Sequence, residues 1–258
     1  MQEEAWAQAE LLVKASEADR TLLASLAEDL KFVFITSKAE LAPAEGGEPG
    51  WQPDGSYLIT GQKIFISAGE HDFTENIVHL VLARLPDAPA GSKGISLFVV
   101  DTSLDGYSVG RKLDKVGLDA QDTAELSFVD VRVPAANLLD TEGRGLMHLM
   151  ERLPRERLSI AVGAIASARA AYEWTKTYVF ERKAFGQSVG DFQNTRFVLA
   201  EILTELDVTQ TYIDQAVLAL NAGDLTAVEA AQAKWWASEL QKRVVDRCVQ
   251  LHGGYGYM

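Results

Sequence analysis

The apolar positions change period along the chain. Over residues 3–34, Leu11, Leu12, Leu22, Leu23, Leu26 and Leu30 recur at helical spacing between Glu and Asp residues. That pattern predicts an amphipathic helix pair. From Ala42 to Pro53 the chain carries Pro43, Gly46, Gly47, Pro49, Gly50 and Pro53, which predict a loop and a domain boundary. From Tyr57 to Val133 the apolar runs become short and β-branched. Tyr57 to Ile59, Lys63 to Ile66, Ile77 to Leu85 and Gly94 to Asp101 read as strands. Glu125 to Val133 alternates polar and apolar residues, as a half-buried strand does. Thr60-Gly61 separates the first two runs, and Pro86 to Gly91 and Asp105-Gly106 are turn signals.

After Pro134 the period becomes helical and stays so. Leu158, Val162, Ile165 and Tyr172 form one predicted core stripe. A second helix, from about Phe192 to Ala222, carries Leu199, Leu203, Leu206, Ile213, Val217 and Leu220 on one face. Asn221 to Asp224 reads as a C-cap and turn. A third helix runs from about Thr226 to Leu251 and stops at Gly253-Gly254. Short turns between long helices predict antiparallel neighbours. The expected fold is therefore α+β: an antiparallel β-sandwich or barrel followed by an antiparallel helical bundle. The expected divisions are an N-terminal helical segment over residues 1–35, a β-domain over 36–140 and the bundle over 141–258.

Composition narrows the chemistry. The 258 residues are 47% hydrophobic and 24% charged, enough for a real core. A formal net charge of −13 argues against nucleic acid or an anionic membrane surface as the main partner. No run is apolar and long enough to span a bilayer. The acidic start, Met1-Gln2-Glu3-Glu4, is unlike a signal or transit peptide, so the cytoplasm is the expected location. With one cysteine, Cys248, an intrachain disulfide is impossible, and its apolar helical context predicts a buried inert thiol. His71, Asp72, Glu75 and His79 lie close in sequence but without the spacing of a metal site.

Four segments could carry chemistry. In Leu153-Pro154-Arg155-Glu156-Arg157-Leu158, a helical Glu156 would share its face with Ile160 and Gly163. A carboxylate beside apolar surface resists ionisation and becomes a competent base. Were Pro154 the first helical residue, Glu156 would instead cap the first turn. In Glu181 to Gly186, Arg182 offers a fork of donors for phosphate and Phe185 a ring to stack. The same residues also suit a charged helix end turned by Gly186. Gln250 to Gly254 lets a ligand approach the backbone closely, and equally suits a glycine C-cap, with His252 structural. Phe65 to Gly69 ends a strand and could offer free backbone groups to a flat polar ring.

The order of motifs is informative. Phe65 to Gly69, Gly94 to Phe98, Lys112 to Leu118, Val131 to Pro134, Glu181 to Gly186, Asp191-Phe192-Gln193 and Gln250 to Gly254 together resemble the acyl-CoA dehydrogenases, over roughly residues 54–258. The resemblance implies FAD bound between subunits of a homodimer or homotetramer. Arg182, Phe185, Phe192 and Gln193 resemble residues that reach the FAD of a neighbouring subunit. Gln250, Gly253 and Gly254 resemble the cradle for its other phosphate-linked portion. Ile66 and Ser67 resemble the strand along the flavin ring, and Arg157 a position near the bound acyl-CoA. Glu156-Arg157-Leu158 resembles the Glu-Arg-Leu base motif of the branches acting on long or branched acyl chains. The implied reaction is α,β-dehydrogenation of an acyl-CoA thioester in fatty acid β-oxidation, with electrons leaving to an electron-transferring flavoprotein. The family usually has a larger helical domain ahead of the β-domain and continues past the position of Met258. The chain is therefore expected to be truncated, and a catalytically inactive binding module is the competing expectation. A purely structural protein would leave the Arg182 and Gln250 segments far from any shared cleft.

Overall fold

The computed structural model describes Phe34–Ile35, Trp51–Gln52 and residues 55–258. The helix pair predicted over residues 3–34 lies outside these residues except for Phe34, which is in a strand. Of the described residues, those up to Glu151 pack as one compact unit and Arg152–Met258 as another.

The first unit contains β1 (Phe34–Ile35), β2 (Trp51–Gln52), β3 (Ser56–Ser67), β4 (Val78–Arg84), β5 (Ile95–Asp101), β6 (Tyr107–Lys112) and β7 (Thr123–Pro134). They form two sheets, β1-β4-β5 and β2-β3-β7-β6. Every pairing is antiparallel except β1 with β4. Residues of both sheets share one core, with Ile59, Val81, Phe98, Leu126, Phe128 and Val131 buried. The two-sheet prediction holds, with three differences in detail. The predicted loop up to Pro53 contains β2. Strand β6 was not predicted, because Tyr107–Lys112 is mostly polar and sits at the sheet edge. Thr60-Gly61 does not separate two strands: β3 runs through it as a bulge between Ile59 and Gly61.

A second irregularity between Lys63 and Ile66 shifts the register again. Such bulges break strict alternation, and here Lys63 is 1% exposed, inside the sandwich. Its Nζ donates to the Leu82 carbonyl at 3.1 Å. Burial lowers its pKa to about 8.

The remaining elements are α1 (Gly145–Glu181), a two-stranded hairpin β8 (Lys183–Ala184) and β9 (Gln187–Ser188), α2 (Gln193–Ala222), α3 (Ala227–Leu251) and the single turn α4 (Gly254–Tyr257). Within the second unit, Arg169 pairs with Asp207, Trp236 bonds Thr209, and Arg243 meets Glu205. Gln241 bonds Ser167, and Thr175 contacts His252. Contacts that run in opposite order from α2 to α3 and in the same order from α1 to α3 describe an up-down-up bundle. The core stripe of α1 is Leu158, Ala161, Ile165, Ala168 and Tyr172. That alternating three-and-four spacing leaves the predicted core residue Val162 at the surface, 39% exposed. On α2, Leu199, Leu206 and Ile213 are buried, and Leu203, Val217 and Leu220 pack against them. Helix α2 ends in a left-handed Gly223, and Thr226 with Glu229 forms a capping box at the start of α3. Cys248 is buried in this core, and burial raises its pKa.

Candidate functional site

Helix α1 carries two of the predicted segments. Pro154 lies inside it, nine residues past Gly145, so Glu156 is not in a first turn. The N-terminal capping reading is therefore excluded. Glu156 is half-buried and forms no hydrogen bond or ion pair with any described residue. Burial raises its pKa. One and two turns on, Ile160 is 51% exposed and an added Cβ at Gly163 would meet nothing within 4 Å. The bundle thus leaves this face of α1 uncovered beside the carboxylate. Arg157 is also half-buried on α1.

The C-terminal end of the same helix reaches a second feature. Tyr178, Arg182, Val189, Gln250 to Tyr255 and Met258 line a cleft of about 550 Å³. The Arg182 and Gln250 segments are thus brought to one cleft, as the structural alternative did not allow. The Arg182 backbone N–H donates to the Tyr178 carbonyl at 2.8 Å, which continues the helix by one residue. Its guanidinium lies 5.7 Å from the centre of the Tyr255 ring. On the facing wall Gly253 has φ +59° and ψ −133°, a conformation essentially restricted to glycine. An added Cβ at Gly253 or Gly254 would meet nothing within 4 Å. The main chain there is open to close approach by a ligand. A cationic fork facing bare backbone suits a diphosphate.

Phe185, Phe192 and Gln193 are not in the cleft lining. Phe185 and Gly186 are the two turn residues of the β8–β9 hairpin, with φ of +52° and +82°. Two positive φ angles in a two-residue loop make a type I′ turn, in which a phenylalanine is strained. The turn holds the Phe185 ring 96% exposed, with its centroid 6.3 Å from that of Phe192. Gln193 opens α2. These three form a separate, outward-facing group.

In the first unit, Ile66 and Ser67 end β3 and pair with Ala124 and Thr123. The Ile66 side chain is buried in the β core, so only its backbone is available to a ligand. Phe65, at φ +62°, projects outward instead. The Ala68 N–H donates to the Asp122 carbonyl, and the Glu70 N–H to the Asp122 carboxylate at 2.8 Å. Behind this segment, Tyr107 Oη lies 3.1 Å from His79 Nε2 and donates to the Gly69 carbonyl at 3.4 Å. His79 is fully buried; burial, and secondly His71, lower its pKa to about 4.

Sequence reasoning missed the cleft residues Tyr178, Val189, Tyr255 and Met258. Tyr178 stands one helical turn before Arg182, a spacing that could have found it. Nothing in the sequence marked Val189. Among the described residues no group of three or more His, Cys, Asp and Glu is placed to hold a metal ion. No helix among them is long and apolar enough to cross a membrane.

The comparisons with known proteins agree with this fold. Residues 47–131 match the family model "Acyl-CoA dehydrogenase, middle domain", and residues 143–258 match "Acyl-CoA dehydrogenase, C-terminal domain". The mitochondrial long-chain specific acyl-CoA dehydrogenase of Sus scrofa is 43% identical over 227 residues, which are 88% of this chain and 52% of that protein. The acyl-CoA dehydrogenase structure from Geobacillus kaustophilus superposes with a TM-score of 0.76 at 41% identity, covering 86% of this chain and 60% of that one. A chain in a structure described as the electron transferring flavoprotein of Acidaminococcus fermentans gives a TM-score of 0.75 at 32% identity, covering 86% of this chain and 59% of that one. The chain spans about half the length of the curated relatives it matches. Two successive domain matches and a shared fold show that the chain belongs to the acyl-CoA dehydrogenase family of oxidoreductases.

Proposed function

We propose that this chain takes part in FAD-dependent α,β-dehydrogenation of an acyl-CoA thioester, with the electrons passed on to an electron-transferring flavoprotein. The family is generally FAD-dependent. The observation that carries the proposal is the cleft in which Arg182 faces Gln250, Gly253 and Gly254. Segments nearly seventy residues apart meet there with the donors and bare backbone that a dinucleotide's diphosphate requires.

Glu156 acts as the base. Its burial keeps the carboxyl pKa above the ordinary range, so the ionised form binds a proton more strongly than a solvated glutamate would. Its Oε takes the α-proton of the thioester while the uncovered α1 face admits a thin acyl chain. FAD, when bound, supplies the acceptor for the hydride leaving the β-carbon. Arg157, half-buried on the same helix, would contact the CoA portion. Ile66 and Ser67 offer backbone groups to the flavin ring.

The separation of the two features bears on assembly. Glu156 and Arg182 are 26 residues apart on one helix, about 39 Å at the helical rise. One extended FAD does not span that distance. We therefore propose a homo-oligomer in which Arg182, with Phe185, Phe192 and Gln193 beyond the cleft, serves an FAD whose reactive ring faces Glu156 of another subunit.

Adding FAD to the purified protein, removing the unbound flavin by gel filtration and recording the visible spectrum tests the cofactor: a protein that elutes colourless refutes the proposal. Glu156→Gln should then keep the flavin spectrum and lose at least about 100-fold in turnover. Near-normal turnover would place the base elsewhere.

A further inference from the structure

His252 is held far more firmly than a helix C-cap requires. Its ring stacks on Tyr178, with centroids 4.1 Å apart and planes 11° from parallel. Its Nε2 is 3.3 Å from the hydroxyl of Thr175, which is itself 1% exposed. Its carbonyl accepts from Tyr178 Oη at 3.3 Å. Its backbone N–H donates to the Cys248 and Val249 carbonyls. Ring, carbonyl and amide are thus all fixed, and two of the three restraints come from α1 and not from the helix that His252 ends.

The place of these restraints gives them meaning. The next residue is Gly253, where the backbone takes its glycine-only conformation and enters the glycine wall of the cleft. On the other side, the Tyr178 carbonyl accepts from the Arg182 N–H and so seats the cationic wall. Tyr178 therefore touches both walls, and His252 is the piece between them. A helix cap would fix only the end of α3. This arrangement fixes the position of the glycine wall relative to Arg182.

We propose that His252, clamped by Thr175 and Tyr178, is the positioning residue of this cleft, holding its glycine wall at the spacing from Arg182 that grips a diphosphate. The proposal rests on the flavin reading for the identity of the ligand. The clamp itself can be tested without flavin.

The test uses the full chain with Thr175→Val, a change of similar shape that removes the hydroxyl facing His252. In flavin-free protein, hydrogen exchange at the Gly253 amide, which donates to the Gln250 carbonyl, should speed up at least about fivefold, while exchange in the middle of α2 stays unchanged. FAD affinity, followed by flavin fluorescence, should weaken at least about tenfold, as loss of supporting partners does at metal sites. Tyr178→Phe keeps the stack and removes the bond to the His252 carbonyl. It should move both readouts the same way, and it carries the test should Thr175→Val fail to fold. Unchanged glycine exchange in the folded variant overturns the proposal, as does unchanged affinity in a protein whose wild type binds FAD. A wild type that binds no FAD refutes the flavin reading instead, and the exchange measurement still decides the clamp.

Discussion

The two glycines of the cleft wall should respond oppositely to the same methyl group. At Gly253 an alanine would have to adopt φ +59° and ψ −133°. Holding an L-residue there costs on the order of 1–3 kcal/mol. In a chain of this size that lowers Tm by about 2–4 °C per kcal/mol. Gly254 has no positive φ, and its added Cβ meets no atom within 4 Å. Gly254→Ala should therefore keep its Tm within about 2 °C. The empty space around that Cβ borders the cleft, so the methyl keeps a phosphate oxygen from reaching hydrogen-bonding distance of the backbone. Losing one charge-assisted bond of about 1.5–3 kcal/mol weakens FAD binding by roughly 10- to 150-fold. Thermal melts and titration of the apoprotein with FAD read the two effects separately. If Gly254→Ala is fully folded and binds FAD within about twofold of the wild type, the glycine wall is a chain reversal and not a cradle.

Two further outcomes follow from burial and strain. His79 has its pKa lowered from 6.5 to about 4 in the fold, so between those values the unfolded chain binds the extra proton and stability falls as pH falls. Urea unfolding should show a loss of about 2 kcal/mol between pH 7 and pH 5, absent in His79→Gln; equal slopes in both proteins would refute the buried neutral imidazole. Phe185 occupies a left-handed turn position that costs a non-glycine residue about 1–2 kcal/mol, least for Asn. Phe185→Asn should raise Tm by a few degrees while weakening flavin binding, and a lower Tm would show that the exposed ring supports the fold.

The parts of the molecule that were legible are those set by local periodicity. The strand runs Ile77 to Leu85 and Gly94 to Asp101 became β4 and β5 almost unchanged, because a short continuous apolar run between turn residues suits a strand buried in a sandwich core. The limits of α2 and α3 followed from Gly223 and Thr226. The illegible parts depend on partners far away in sequence. No local rule placed Lys63 inward: two bulges and the Leu82 carbonyl across the sandwich did so. The start of α1 stayed open because Pro154 could also open a helix; it sits in the body of α1. In the site, the glycine and arginine motifs were visible singly. Their meeting in one cleft followed only from the family resemblance and from no local pattern, because it depends on α1 and α3 running parallel in the bundle.

The position of Glu156 changes the meaning of its chemistry. In a first turn the helix dipole would favour the carboxylate and lower its pKa, which makes a stable cap but a weak base. In the body of α1 that stabilisation is gone, and no described residue pairs with the side chain. What remains is desolvation, which raises the pKa. An unpaired half-buried acid costs stability, and a residue serving only the fold would be better replaced by glutamine or leucine. An acid with a raised pKa beside an uncovered helix face is what the proposed role as base needs. Glu156→Leu separates the two roles: it should raise Tm while abolishing turnover. A lower Tm would mean that the carboxylate supports the fold and was wrongly assigned to catalysis.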